Sequence, residues 1–397
     1  MKRREFIGKS SVAAAGILAS TSALSAIGCS EPPLTKLNIG VIGTGNRGCG
    51  LISILNNIKN VNVVAICDVL PFRLENGLKR TEGKAKTYTD YKELLKDKNV
   101  NSILITSTFS AHAEIAIASI NAKKHVYCEK TVAKGYENIL AVANKAKKSS
   151  KVFQTGHQYH SSRLYTHVVD LIKNGKVGKI STIECQWNRN GNWRRPLPDP
   201  SLEKEVNWRM YKEFSGGLTA ELSSHQIDFT NWILEETPEK AMGMGGIDYW
   251  KDGRETFDNS HLIFSYPSGV KATFTCLTSN AKDGYQIKVK GDKGTITLGT
   301  NKAWFSAEGQ KKKVVKKDVD GVSGATVQHG NNFGEPINIE HADPSKQALL
   351  DFRDSVLNGT EPISNLYTGA TTAICVQMGI DAMHTNAIIH WKNEYNI

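Results

Sequence analysis

Asn38-Ile39-Gly40-Val41-Ile42-Gly43-Thr44-Gly45-Asn46-Arg47-Gly48 is the stretch that decides the fold. An apolar strand runs straight into three glycines at G-x-G-x-x-G spacing, and helical periodicity follows to about Asn57. Gly43 permits the tight turn, Gly45 lets backbone approach a pyrophosphate, and Gly48 lets the helix pack close to the strand. The pyrophosphate of a dinucleotide then lies against amides at the helix start, with Thr44, Asn46 and Arg47 between the glycines. Asp68 closes the next apolar strand 25 residues after Gly43. A carboxylate there meets the adenosine ribose and repels a 2′-phosphate, so NAD is expected over NADP. Arg47 and Arg73 are the cations that could instead reach a phosphate. Asp68 is also placed to cap the helix from Pro71, a role compatible with the first.

Further out, apolar runs at 102–105, 125–128 and 152–154 alternate with helical stretches from Ala111 to Ile120 and Gly135 to Ala146. This is the pattern of βαβ units around a parallel sheet buried on both faces, and it makes 37–155 a Rossmann domain. The texture then changes. Strand-like runs at 240–248, 258–266, 269–277, 283–289 and 293–298 are separated by turns such as Pro267-Ser268-Gly269 and Gly291-Asp292-Lys293-Gly294. Residues 156–397 therefore read as an α+β domain with a mostly antiparallel sheet, and the chain as α/β followed by α+β.

At the start, Lys2, Arg3, Arg4 and Phe6 precede a small, apolar run from Ser11 to Ile27 that ends Ala26-Ile27-Gly28-Cys29. Residues 1–28 read as a twin-arginine signal peptide, Cys29 as a lipidated first residue, and 29–36, with Pro32 and Pro33, as a tether. An ordinary signal peptide in which Cys29 is incidental is the alternative. The run is too short for a membrane span, so membrane contact is expected only through the lipid, on an exported periplasmic or cell-envelope protein. Such a protein would fold around its cofactor before export.

The formal charge is +11. Its densest cluster, Lys311, Lys312, Lys313, Lys316 and Lys317, is interleaved with Val314 and Val315 as in a solvated strand or hairpin. No broad basic surface with stacking aromatics is evident, so no nucleic-acid partner is expected. Cys49, Cys67, Cys128, Cys185, Cys276 and Cys375 form no CxxC pair and read as buried thiols, although export makes a disulfide permissible.

Three more stretches carry a resemblance: Thr106-Ser107-Thr108-Phe109-Ser110-Ala111-His112, Glu129-Lys130-Thr131 at a strand end, and Gly216-Gly217-Leu218-Thr219-Ala220-Glu221-Leu222-Ser223-Ser224-His225-Gln226-Ile227-Asp228. With the glycine fingerprint they make residues 37–390 resemble the glucose-fructose oxidoreductase, inositol dehydrogenase and rhizopine-catabolism family of NAD(P)-dependent enzymes. The resemblance implies Thr108, His112, Glu129 and Lys130 at the cofactor. It also implies an open sheet that covers the nicotinamide and supports a homo-oligomer, and a sugar, glycoside or cyclitol substrate. The family usually has Glu-Lys-Pro where this chain has Glu129-Lys130-Thr131, and an aspartate where this chain has Glu221. The missing proline is expected to relax the backbone after Lys130. The family also includes NAD-dependent glycosidases, which oxidise a sugar ring transiently to expel its aglycone. They carry Thr-His-Gly where this chain has Ser224-His225-Gln226.

Oxidising a secondary alcohol needs a base within hydrogen-bond reach of the hydroxyl. Lys130, after a strand on the sheet's carboxyl side, is placed to stabilise the developing alkoxide. Lys130 and His225 are the two candidates for the base, and Glu221 and Asp228, within reach of His225 at helical spacing, are expected to fix its tautomer and raise its basicity. His225, Glu221 and Asp228 lack a convincing further ligand, so no metal is expected. His157 and His160 could line the cleft or be structural. The loop from Trp187 to Trp208, with Arg189, Trp193, Arg194 and Trp208, and Tyr211 beyond, offers aromatic faces and polar donors suited to a sugar. A structural loop or subunit interface is the competing reading. Two other functions stay open: a redox-assisted glycoside hydrolase or lyase with retained NAD, and a non-catalytic NAD- or sugar-binding lipoprotein.

Overall fold

A computed structural model describes residues 34–309 and 334–397. Cys29, the segment before it and the Lys311–Lys317 cluster lie outside the described residues. The first sheet has six strands: β1 (Leu37–Ile42), β2 (Val61–Cys67), β3 (Lys86–Tyr88), β4 (Ser102–Ile105), β5 (His125–Cys128) and β6 (Phe153–Thr155). All pairings are parallel, in the order β3-β2-β1-β4-β5-β6. The order reverses between β1 and β4, which opens a crevice at their carboxyl ends. β3 falls outside the sequence expectation because it is three residues long, Lys-Thr-Tyr, on an edge without an apolar run.

Helices cover both faces of this sheet. Ile103, Leu104 and Ile105 of β4 are fully buried. On one face Leu37, Ile39 and Val41 pack with Leu51, Ile52 and Leu55 of the helix Asn46–Leu55. The same cluster takes in Ala348, Leu349, Phe352 and Val356 from the distant helix Pro344–Asn358, so the end of the chain returns to complete the first core. Asp343 caps that helix by accepting from the Lys346 amide, ahead of Pro344 in its first turn. Phe352 meets Tyr127 edge to face at 5.7 Å. Burying such a ring contributes about 1.5–3 kcal/mol.

Among the described residues the second sheet has nine strands: β7 (Ile180–Asn188), β8 (Lys240–Gly246), β9 (Asn259–Ser265), β10 (Lys271–Leu277), β11 (Tyr285–Gly291), β12 (Gly294–Leu298), β13 (Ala303–Ala307), β14 (Glu335–Ile337) and β15 (Ile389–His390). Their order is β14-β13-β12-β11-β7-β10-β9-β8-β15, antiparallel except where β7 meets β10. Alternation decides its faces. Ile183, Leu262, Phe264, Phe274 and Ile287 point to the core, which the helices Ser224–Leu234 and Leu366–Thr385 share. The opposite face is open: Met242 stands across from Ile263 and both are exposed, with Met244 beside them 74% exposed. Among the described residues no helix is long and apolar enough to cross a membrane.

Candidate active site

The glycine turn is fixed by backbone contacts. Gly43 has φ +96°, and a Cβ there would lie 2.7 Å from the Ser107 nitrogen and the Thr106 carbonyl. At Gly48 a Cβ would come within 2.0 Å of the Gly43 oxygen, whereas at Gly45 it would meet nothing within 4 Å. The turn is thus tight below and open above, and no side chain caps the amides that start the helix Asn46–Leu55. That is the cradle a pyrophosphate needs, so the residues fit a dinucleotide.

Asp68 is drawn inward. Its carboxylate accepts from the Thr44 amide at 2.8 Å and the Leu70 amide at 3.0 Å, and it ties the glycine turn to the start of the next helix. The Thr44 hydroxyl donates to the Arg73 carbonyl, and the Arg73 side chain reaches the Glu205 carbonyl at 3.3 Å. The exposed residue after Asp68 is Val69, which offers no cation to a 2′-phosphate. Arg47 and Glu129 pair with each other at 2.7 Å, and Arg47 also donates to Ser345. Thr108 stands at the start of the short turn Phe109–Ala111. His112 is buried, meets the Thr131 carbonyl at 2.9 Å and thereby braces the backbone after Lys130. The Lys130–Thr131 peptide bond is cis.

Lys130, just past β5, reaches the distant residues Ala220 and Glu221. Its ammonium donates to the carbonyls of Ala220 (3.2 Å) and Glu221 (3.0 Å) and stands 4.0 Å from the Glu221 carboxylate. Burial pulls its pKa down, against the pull of Glu221 and Glu129. The segment Thr219–Ser223 is a π turn leading into the helix Ser224–Leu234. The wider turn breaks the i,i+4 alignment of Glu221 with His225. Contrary to the sequence expectation, Glu221 therefore serves Lys130 and Arg209, whose Nε donates to it at 2.7 Å. Burial opposes ionisation of Glu221, but Arg209 and Lys130 outweigh it and hold the pKa at about 2. Asp228 likewise turns away from His225, to His160 at 2.9 Å and Thr372 at 3.3 Å.

His225 is buried and its Nδ1 has no hydrogen-bond partner. Burial, with the nearby Lys130 charge, pushes its pKa well below the usual histidine value, so the ring is neutral. His157 stands edge-on to it at 5.7 Å, also buried and lowered to about 4 by desolvation. Tyr159 and Trp187 close the wall, with ring centroids 5.1 and 5.8 Å from His225. The guanidinium of Arg189 lies over Trp187 and Trp193, at 5.3 and 5.6 Å.

The proposed substrate set divides. His157, Arg189 and Trp193 gather beside His225, directly or through Trp187. Arg194 is engaged by Glu203 and Asp252, Tyr211 donates to Glu203 at 3.0 Å, and Trp208 is buried beneath the Arg209 guanidinium at 4.2 Å. These three build the loop's own frame. Sequence reasoning missed Arg209 and Tyr159. The Trp-Arg dipeptide at 208–209, just ahead of the glycine pair, was the available signal for the first, and the Tyr159 position after His157 for the second.

Comparison with known proteins assigns the family. A model of an oxidoreductase family with an NAD-binding Rossmann fold matches residues 37–157, and one of the GFO/IDH/MocA C-terminal domain matches 165–297. Inositol 2-dehydrogenase of Salmonella typhimurium strain LT2 is 33% identical over 268 residues, 66% of this chain and 74% of that enzyme. Myo-inositol 2-dehydrogenase of Thermotoga maritima is 29% identical over 266 residues, again 66% and 74%. A structure of levoglucosan dehydrogenase in complex with NADH and levoglucosan shares the fold, with TM-score 0.72, 17% identity, and coverage of 90% of this chain and 99% of that one. The chain belongs to the GFO/IDH/MocA family of NAD(P)-dependent oxidoreductases.

Proposed function

We propose that this enzyme interconverts a secondary hydroxyl and a ketone on a sugar, glycoside or cyclitol ring, with Lys130 and His225 handling the oxygen and its proton. Its cofactor is NAD. Gly43, Thr44, Gly45, Asn46 and Gly48 would hold the pyrophosphate, and the Val69 end of β2 the adenosine. When bound, NAD supplies the acceptor for the hydride of the carbinol carbon. The observation that carries the reading is the meeting of a buried ammonium and a neutral buried imidazole at the carboxyl end of the first sheet.

Lys130 spends two donors on Ala220 and Glu221, and its third is free for a substrate oxygen. A positive charge in a poorly solvated site favours developing alkoxide. His225, being neutral, has a lone pair ready for the hydroxyl proton. Trp187, Trp193 and Arg189 present aromatic surface and donors to a ring with one C–H face and hydroxyls on its rim. The named activities of the inositol and levoglucosan enzymes support this substrate class.

The N-terminus supports export, with Cys29 as the lipidated anchor, on the strength of Arg3-Arg4 and the Ala26-Ile27-Gly28-Cys29 ending. It also favours a second reading, in which NAD stays bound and a glycoside is cleaved without net oxidation, because free NAD is scarce outside the cytoplasm. The exposed Met242, Met244 and Ile263 support a homo-oligomer joined through the open sheet face. The test is to purify the mature chain, detect bound NAD by mass, and follow its absorbance while sugars, cyclitols and aryl glycosides are added. Reduction with a keto product supports the dehydrogenase; aglycone release without net reduction supports the second reading; neither, with any compound, overturns both.

A further inference from the structure

The His225 Nδ1 is buried without a hydrogen-bond partner, and so is the Nε2 of His157, whose ring stands edge-on to it at 5.7 Å. Burial holds both rings neutral, so each carries one N–H and one lone pair. A buried ring nitrogen left unpaired is costly, and here each ring can supply what the other lacks. The acids around them are committed. Glu221 accepts from Arg209 beside Lys130, Asp228 is engaged by His160 and Thr372, and Glu129 holds Arg47.

A buried chain behind His157 decides which of its nitrogens is protonated. Thr155 and Ser364 are both fully buried, and the Thr155 amide donates to the Ser364 carbonyl at 2.9 Å. The Ser364 hydroxyl donates to the Thr155 carbonyl at 3.1 Å, which satisfies a buried backbone acceptor. Its proton being spent there, the Ser364 oxygen accepts from the Thr155 hydroxyl at 2.8 Å. The Thr155 oxygen, its own proton spent in turn, accepts from His157 Nδ1 at 3.3 Å. His157 therefore carries its proton on Nδ1, and the partnerless Nε2 is a lone pair.

We infer that His157 is the positioning residue of the base: its Nε2 accepts the Nδ1–H of His225 and so leaves the His225 Nε2 lone pair for the substrate hydroxyl. Catalytic hydrogen bonds are often long before substrate binds and tighten with it, and a small rotation of either ring brings these two nitrogens together. When His225 Nε2 takes the hydroxyl proton, the ring becomes an imidazolium, and its Nδ1 proton stays in the bond to His157. The imidazole of His157, anchored by Thr155 and Ser364, thus does what a carboxylate at position 221 or 228 was expected to do. The effect on turnover rests on the function proposed above; the tautomer does not, so the two can fail separately.

The test is nitrogen NMR of the NAD-loaded protein with isotope-labelled histidine, the His225 signals being identified by their loss in His225→Asn. Protonated and bare ring nitrogens resonate far apart, so the tautomer is read directly. Both His225 and His157 are expected to carry the proton on Nδ1 in wild type. His157→Phe keeps a ring but no lone pair, so His225 is expected to become a mixture of tautomers, with kcat down about 10–100-fold and KM within about threefold. His157→Gln offers a carbonyl acceptor in place of Nε2 and is expected to keep one His225 tautomer and kcat within about fivefold. Thr155→Val removes the acceptor of the His157 proton and is expected to lower kcat about fivefold, whether or not His157→Phe folds. A proton on Nε2 of His225 in wild type, or a His225 tautomer that none of the variants moves, would overturn the proposal without any substrate. A raised KM with unchanged kcat in His157→Phe would overturn it too, since that marks a substrate contact.

Discussion

The glycine turn at 43–48 and the π turn Thr219–Ser223 both bring bare backbone to the cleft, with opposite polarity. At the first, helix-start amides stand uncapped beside the open space at Gly45, ready for an anion. At the second, carbonyls of Ala220 and Glu221 point at an ammonium and hold it in place. The glycine turn is shaped by the absence of side chains, the π turn by one extra residue in a helical turn. One end is built to receive a charged ligand and the other to position a charge of the protein's own.

If that division is right, the two ends fail differently. Lys130→Met and His225→Asn are expected to lower kcat by about 10²–10⁴ while leaving Kd for NAD within a few-fold, measured by steady-state kinetics and calorimetry. Next comes Gly48→Ala, whose Cβ would press on the Gly43 carbonyl at 2.0 Å and so cost about 3 kcal/mol of stability. Gly45→Ala faces open space and is expected to stay within about 0.5 kcal/mol of wild type in denaturant unfolding yet bind NAD more weakly. Equal losses of stability in the two glycine variants would break the comparison.

Arg209→Gln is a smaller perturbation of the second end. Without the guanidinium, the Glu221 pKa rises from about 2 toward its ordinary value, and Lys130 loses part of its counter-charge on the acid side. We expect kcat to fall about tenfold, its acid limb to move upward in pH, and stability at neutral pH to fall as well, because the lowered Glu221 pKa favours the folded state above the ordinary carboxylate range. The mildest test is the pH profile of wild type. Since burial lowers His225 well below 6.5, the base form persists as pH falls through 6.5, and kcat declines only at lower pH. On the alkaline side the Lys130 charge is lost as pH rises through a pKa below the ordinary 10.5, so the decline begins early there.

How much of this could be read from sequence follows the same division. The constraints on Gly43 and Gly48 act within a few residues, so spacing reveals them, and Lys130 at a strand end is placed by topology. Glu221 and Asp228 were placed beside His225 by assuming regular helix, and the π turn undid that assumption. Asp68 follows β2 where the spacing puts it, and the two neighbouring amides its carboxylate accepts depend on the turn geometry, which spacing does not carry. The return of the helix Pro344–Asn358 to the first sheet depends on contacts far apart in the chain, which no local pattern carries.

The most direct test of the central claim is single-turnover reduction of NAD bound to the protein, with a cyclitol and sugar panel, for wild type and Lys130→Met in parallel. We expect wild type to reduce its cofactor and form one equivalent of ketone, and Lys130→Met to bind NAD without reducing it. Full-rate reduction by Lys130→Met, or bound NAD that no compound in the panel reduces in wild type, would contradict the account.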